Sequence, residues 1–384
     1  MIKKIINASV VLTDKVLEGG TVVFEDGIIT YVGCEDRPAD EVYDAEGKYV
    51  LAGFVDIHCH GGGGYDFMDA TPDEMRKISA FHLSHGTTTL VATTLTDTWD
   101  SIEYCLDNFS KLGDDRLTLH GVHLEGPWFS PLQCGAQSVD QMEKPSGERL
   151  KELKAEYPFI ERVSMAPEID EKFDTGRTAV ELGMVAAIGH TDANFDTTVA
   201  AADNGYTLVT HLYSGMRGVV RKNAYREAGC VEGSLYDDRL TVETIADGKH
   251  LPAGLLKLIY KCKGADKICL VTDSTRGAGY SDGDTMMLGK LVGGTLAIIE
   301  DGVAKLPDRQ SFAGSIATTD RLFRTVKDLV GLPVYEISRM ISDTPSRVMG
   351  YTDRGRIEVG LRADLVIMDK DFNTDKIYLK GETK

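Results

Sequence analysis

Eight short apolar runs, rich in Val, Ile, Leu and Thr, recur through the middle of this 384-residue chain with helix-like sequence between them. They span residues 53–57, 88–94, 117–124, 163–166, 184–188, 208–210, 240–245 and 268–272. Runs without polar alternation suit strands covered on both faces, as in a parallel sheet. Stretches at 72–85, 101–112, 147–156 and 252–262 have the length and pattern of crossover helices. Eight such units are the count that closes a parallel barrel. The expected fold is α/β, a (β/α)8 barrel of the TIM type.

The two ends of the chain have a different texture. Residues 1–49 alternate in β fashion, with Asp26-Gly27 as a hairpin turn, and Gly355 to Asp369 again gives short strands between Gly and charged turns. The expectation is a small β-sandwich domain built from 1–49 and 352–384, flanking a barrel domain over 50–351. A further β-like piece at about 284–308 either joins that small domain or decorates the barrel.

Polar residues with metal-ligand chemistry stand where the apolar runs end. They are His58 and His60 (FVDIHCHG), Glu125 (HLEGP), His190 (IGHTD), His211 (VTHLYS) and Asp273 (VTDST). In a parallel barrel the active site is assembled at the strand ends. Side chains alternate along a strand, so His58 and His60 face the same way and Cys59 turns aside. One His after an apolar run is more often a hydrogen-bonded core residue than a ligand. Six such positions in one barrel favour the metal reading. Imidazole and carboxylate without thiolate suit Zn, Fe, Co or Mn. A cation so held lowers the pKa of water and polarises the bond to be cleaved, which suits hydrolysis.

Composition narrows the partners. A net charge of −18 argues against nucleic acid or an anionic membrane surface. An anionic substrate would need a local Arg or Lys to overcome that field. The 7 Cys residues are scattered, without CxxC, and no apolar stretch approaches the ~20 residues of a membrane helix. A reduced, soluble, cytoplasmic protein is expected.

The motif series GFVDIHCHGGGG, HLEGPWFSP, IGHTDANFD, VTHLYSGM, ADGKH and VTDSTRGAG, in this order, resembles the N-acetylglucosamine-6-phosphate deacetylases of the amidohydrolase superfamily. The similarity runs over most of the chain. It implies removal of acetate from an amino sugar phosphate, a homodimer, and two divalent ions per subunit (Zn or Fe ahead of Co or Mn). By this resemblance His58 and His60 hold one ion, His190 and His211 the other, and Glu125 bridges them. Asp273, ligand and general base, accepts the proton of the attacking nucleophile and passes it to the leaving amine. His250 matches a substrate-contacting histidine, and Arg226 a phosphate-binding arginine that in the family reaches across the dimer interface.

Three departures from the family pattern bear on the substrate. Ser214-Gly215 replaces the usual Asn-Ala that meets the phosphate, and Arg217, Arg221 and Lys222 add cations after it. Gln137 stands where a carbonyl-polarising histidine is usual, so only a neutral donor is offered there. The galactosamine epimer therefore stays open as a substrate. Cyclic-amide hydrolases of the superfamily bridge their metals with a modified lysine on the fourth strand, and the run RVSMAPE has none. A non-catalytic binding barrel would be missing ligands, and here every position is filled. Trp128 reads equally as a lid over the sugar or as packing.

Overall fold

The computed structural model describes residues 1–113 and 116–384. Eight parallel strands form one sheet in chain order: Phe54–Cys59, Thr87–Thr93, Leu119–Glu125, Ile160–Met165, Val185–Ile188, Tyr206–Val209, Thr241–Ile245 and Ile268–Val271. The first and eighth meet through a parallel bridge between Cys59 and Ser274. Asp273 N donates to His58 O at 3.0 Å there, and His60 N to Ser274 O at 2.7 Å. The sheet is a closed barrel.

Each run read from the sequence falls on one of these strands, with bounds shifted by a few residues. The largest shift is in the fourth, which begins at Ile160 rather than at residue 163. Glu161 and Arg162 hid its start, because charged residues break an apolar pattern. Inside the barrel, Arg162 is neutralised by Glu243 of the seventh strand. Ala187, Leu208, Ile245, Cys269 and Val271 form one buried cluster, and their neighbours Ala186, Val209, Val242 and Leu270 belong to a larger one. That period of two separates the barrel interior from the layer under the helices.

The helices sit close to their expected places. Pro72–Leu83 starts at a capping box made by Thr71 and Glu74 and stops before Gly86, whose φ is +97°. Gly147–Glu156 and Ala253–Lys263 follow the third and seventh strands. Thr319–Val330 lies after the eighth.

The terminal segments share a second sheet. Ile2–Val11 pairs along one edge with Val16–Glu25 and along the other with Glu41–Asp44 and then Tyr49–Ala52. Asn7, at φ 52°, separates the two latter partners. Leu365–Met368 pairs with Tyr49–Ala52 and carries the C-terminal strands with it. Ile5, Val22, Phe24, Val50, Leu365 and Tyr378 form this sheet's own core. Asp26 and Gly27, at φ 50° and 80°, make the expected hairpin turn. The piece after the eighth strand is a separate three-stranded sheet, Thr285–Leu288, Thr295–Glu300 and Val303–Lys305. No helix among the described residues is long and apolar enough to cross a membrane.

Candidate active site

Glu125 ends the third strand, and its carboxylate is the hub of the site. Oε1 lies 3.5 Å from His58 Nε2, 3.5 Å from His190 Nε2 and 2.9 Å from His211 Nε2. Oε2 lies 3.3 Å from His60 Nε2 and accepts from Gln137 Nε2 at 2.7 Å. Asp273 Oδ1 is 3.2 Å from His60 Nε2 and 3.5 Å from His58 Nε2. The donor atoms fall into two groups, His58–His60–Glu125 and Glu125–His190–His211, each within 4.8 Å. All are buried at the C-terminal ends of the strands.

Local backbone geometry turns these side chains inward. His190, His211 and Asp273 take φ values of 45°, 27° and 47°, left-handed conformations that a non-glycine residue adopts at a cost. Each comes just after a strand, where the chain must bend sharply while its side chain stays over the barrel mouth. Gly215 lies against the His190 ring: a Cβ there would sit 2.6 Å from Nδ1. His190 Nδ1 donates to Gln133 O at 2.9 Å, and His58 Nδ1 to Glu243 Oε2 at 3.0 Å, which points both Nε2 lone pairs at the hub.

Glu243 and Arg162 went unnoticed in the sequence reading. Glu243 accepts from His58, from His211 N at 3.1 Å and from Arg162, which also donates to Ile57 O at 3.1 Å. Their signal was present as charge inside two otherwise uncharged runs, Glu243 in TVETI and Glu161-Arg162 in IERVSM.

The electrostatics demand positive charge. Burial raises the Glu125 carboxyl, but the His58 charge and hydrogen bonds from His190, His211 and His60 outweigh it and hold it well below the carboxylate range. Asp273 is likewise pushed up by burial and brought below its ordinary value by His60 and His58. Burial also pulls the His60 imidazolium down, yet Asp273 and Glu125 hold it up at about 10. Glu243 sits at about 2, because Arg162 and His58 overcome its desolvation. Ionised, buried carboxylates surrounded by four imidazoles and no thiolate fit divalent ions, the imidazoles giving up their protons on binding.

His60, Glu125, His190, His211 and Asp273 floor a cavity of about 450 Å³, which Gln137, Ser214, Gly215 and His250 also line. Gln137 accepts from Thr96 N at 2.8 Å while donating to Glu125, so both ends of its amide are engaged. His250 Nδ1 donates to Asp247 Oδ2 at 2.8 Å, leaving Nε2 for a ligand. Arg226 stands apart, exposed on the hairpin Val220–Lys222 and Tyr225–Glu227, and does not line the cavity. Arg217 is tied to Glu227 at 2.7 Å. Trp128 is buried in the main core, its ring 5.9 Å from that of Trp99.

A closed parallel barrel with a His/Glu/Asp cluster at its mouth defines a metal-dependent hydrolase class, and the sequence profile of the amidohydrolase family matches residues 49–384. N-acetylglucosamine-6-phosphate deacetylase of Bacillus subtilis (strain 168) is 33% identical over 390 residues, 97% of this chain and 94% of the relative. N-acetylgalactosamine-6-phosphate deacetylase of Escherichia coli O157:H7 is 29% identical over 93% of this chain and 92% of its own length. A mutant N-acetyl-D-glucosamine-6-phosphate deacetylase from Mycobacterium smegmatis, solved with N-acetyl-D-glucosamine 6-phosphate, superposes with a TM-score of 0.90 at 33% identity, covering 100% of this chain and 98% of that one. The chain belongs to the N-acetylglucosamine-6-phosphate deacetylase family of amidohydrolases.

Proposed function

We propose that the chain hydrolyses the N-acetyl group of N-acetyl-D-glucosamine 6-phosphate, giving D-glucosamine 6-phosphate and acetate. The observation that carries this reading is the convergence of four imidazoles on Glu125 with Asp273 beside them, 3.2 Å from His60. His58, His60, Glu125, His190 and His211, with Asp273, would hold two divalent ions, zinc or iron ahead of cobalt or manganese. Bound there, such ions acidify water and polarise the acetyl carbonyl. Asp273 takes a proton from the attacking water as its oxygen bonds to the acetyl carbon. It returns the proton to the sugar nitrogen as the C–N bond breaks, because an amine leaves only when protonated. His250 and the Ser214-Gly215 backbone position the substrate. In this reading 1–49 and 352–384 form a domain apart from the barrel at 50–351, and the enzyme is a cytoplasmic homodimer.

The galactosamine epimer is a second reading, favoured by the Escherichia coli relative and by Ser214-Gly215. Acetate release from both sugar phosphates and from unphosphorylated N-acetylglucosamine tests the assignment. Fast release from the glucosamine phosphate is expected, abolished by a chelator and restored by a divalent metal. Asp273→Asn is expected to lower kcat by about 10²–10⁴-fold. No release from any of the three sugars sinks the proposal.

A further inference from the structure

The cavity wall includes a cation that the motif series does not predict. Lys305, Arg309, Gln310, Ser311, Phe312 and Gly314 line it as one continuous segment. The segment is a closed loop: Lys305 bridges Phe312, Leu306 N donates to Ser311 O at 2.9 Å, and Arg309 N donates to Leu306 O at 2.8 Å. Arg309 has φ 58°, a conformation in which glycine would be cheaper.

The two cations of this loop differ in how far they are already committed. Lys305 Nζ is held by Asp301 at 2.5 Å and Glu300 at 3.3 Å. Arg309 Nε lies 3.5 Å from Glu300 and its Nη1 donates to Pro307 O, while Nη2 makes no hydrogen bond among the described residues. Its side chain is 49% exposed, so the guanidinium can reach a ligand without first being dug out of the core. Phe312, three residues on, packs its ring 4.5 Å from that of His250. The loop carrying Arg309 and the free His250 Nε2 thus belong to one stretch of wall. In a chain of net charge −18, an anion is recognised only where a local cation outweighs the field. A planar guanidinium suits a phosphate, which it can grip with two hydrogen bonds.

We infer that Arg309 is a specificity-determining residue whose guanidinium contacts the phosphate of the substrate from the same wall as His250. This rests on the sugar-phosphate reading above. It adds a cation of the cavity wall to whatever a partner subunit's hairpin supplies.

The test compares Arg309→Ala and Arg309→Lys with wild type in the metal-loaded enzyme, on N-acetylglucosamine with and without its 6-phosphate. For Arg309→Ala, KM for the phosphorylated sugar is expected to rise about tenfold or more with kcat within about threefold. The unphosphorylated sugar should be turned over as by wild type, and Arg309→Lys should recover part of the loss. Wild-type KM in Arg309→Ala overturns the inference and leaves the deacetylase reading intact. An equal loss on both sugars also overturns it, because that is the mark of a loop that has merely collapsed. If wild type deacetylates neither sugar, the functional reading has failed, and calorimetric titration of inorganic phosphate decides the inference separately. Tighter binding to wild type than to Arg309→Ala supports the anion site, and equal binding overturns it.

Discussion

At the scale of single residues, the site stores strain where it is used. His190, His211 and Asp273 hold left-handed backbone at φ 45°, 27° and 47°, and such conformations cost on the order of 1–3 kcal/mol each. They persist because Glu125 and the surrounding hydrogen bonds overdetermine them. Gln137 contributes to that network by joining Thr96 N to Glu125 Oε2. Gln137→Ala is expected to weaken metal binding by roughly 10–100-fold, the usual effect of removing a group that orients a ligand. Metal titration of the variant checks this, and a loss confined to substrate KM would instead place Gln137 against the sugar. The candidate ligand residues were readable because each ends an apolar run. Gln137 could not be placed so, since its partners lie 41 and 12 residues away in sequence. Arg226 shows the opposite limit: a motif match along the chain does not say that the fold of one subunit brings the residue to the cavity.

Between elements, the fourth and seventh strands are joined by the buried pair Arg162 and Glu243, both fully shielded from solvent. Removing one member of such a pair leaves an uncompensated charge and costs about 3–5 kcal/mol. Glu243→Gln is expected to lower the thermal midpoint sharply and to release His58 from its orientation. Replacing both, Arg162→Met with Glu243→Leu, should recover most of the stability and little of the metal binding, as followed by unfolding and metal stoichiometry. Full metal binding by that double variant would show that the pair serves the barrel alone. The strands themselves were legible because apolar runs of this length leave little other choice. What lay hidden was charge inside the barrel, since a sequence does not show which two strands will neutralise one another.

Across the whole molecule, Asp320 ties three parts together. It opens the helix Thr319–Val330, faces His85 just beyond the helix Pro72–Leu83, and binds Arg324 at 3.1 Å. Arg324 in turn donates to Phe372 O of the C-terminal segment at 3.0 Å. Burial raises the Asp320 carboxyl, but hydrogen bonds from His85 and Thr318 and the charges of His85 and Arg324 prevail and hold it at about 2. A carboxyl lowered from 3.8 to about 2 contributes about 2 kcal/mol above pH 4, and the contribution fades as pH falls through its folded value. Asp320→Asn is therefore expected to unfold roughly 2–3 °C below wild type at pH 7, with the gap narrowing between pH 4 and pH 2. A gap that does not change with pH would show that the charge is not what stabilises. The meeting of the chain's two ends was legible because both carry short alternating strands. Asn7, where one strand changes partners, was not, because nothing local requires a bend there.

The seam between the first and eighth strands gives the molecule a property of another kind. His58 and His60 lie on one side of the Cys59–Ser274 bridge and Asp273 on the other, with 213 residues lying between Cys59 and Asp273 along the chain. The residues proposed as metal ligands and as proton carrier are therefore strangers until the ring is complete. Activity would therefore report on closure: a chain in which that last pairing has not formed lacks the arrangement that the proposed chemistry needs.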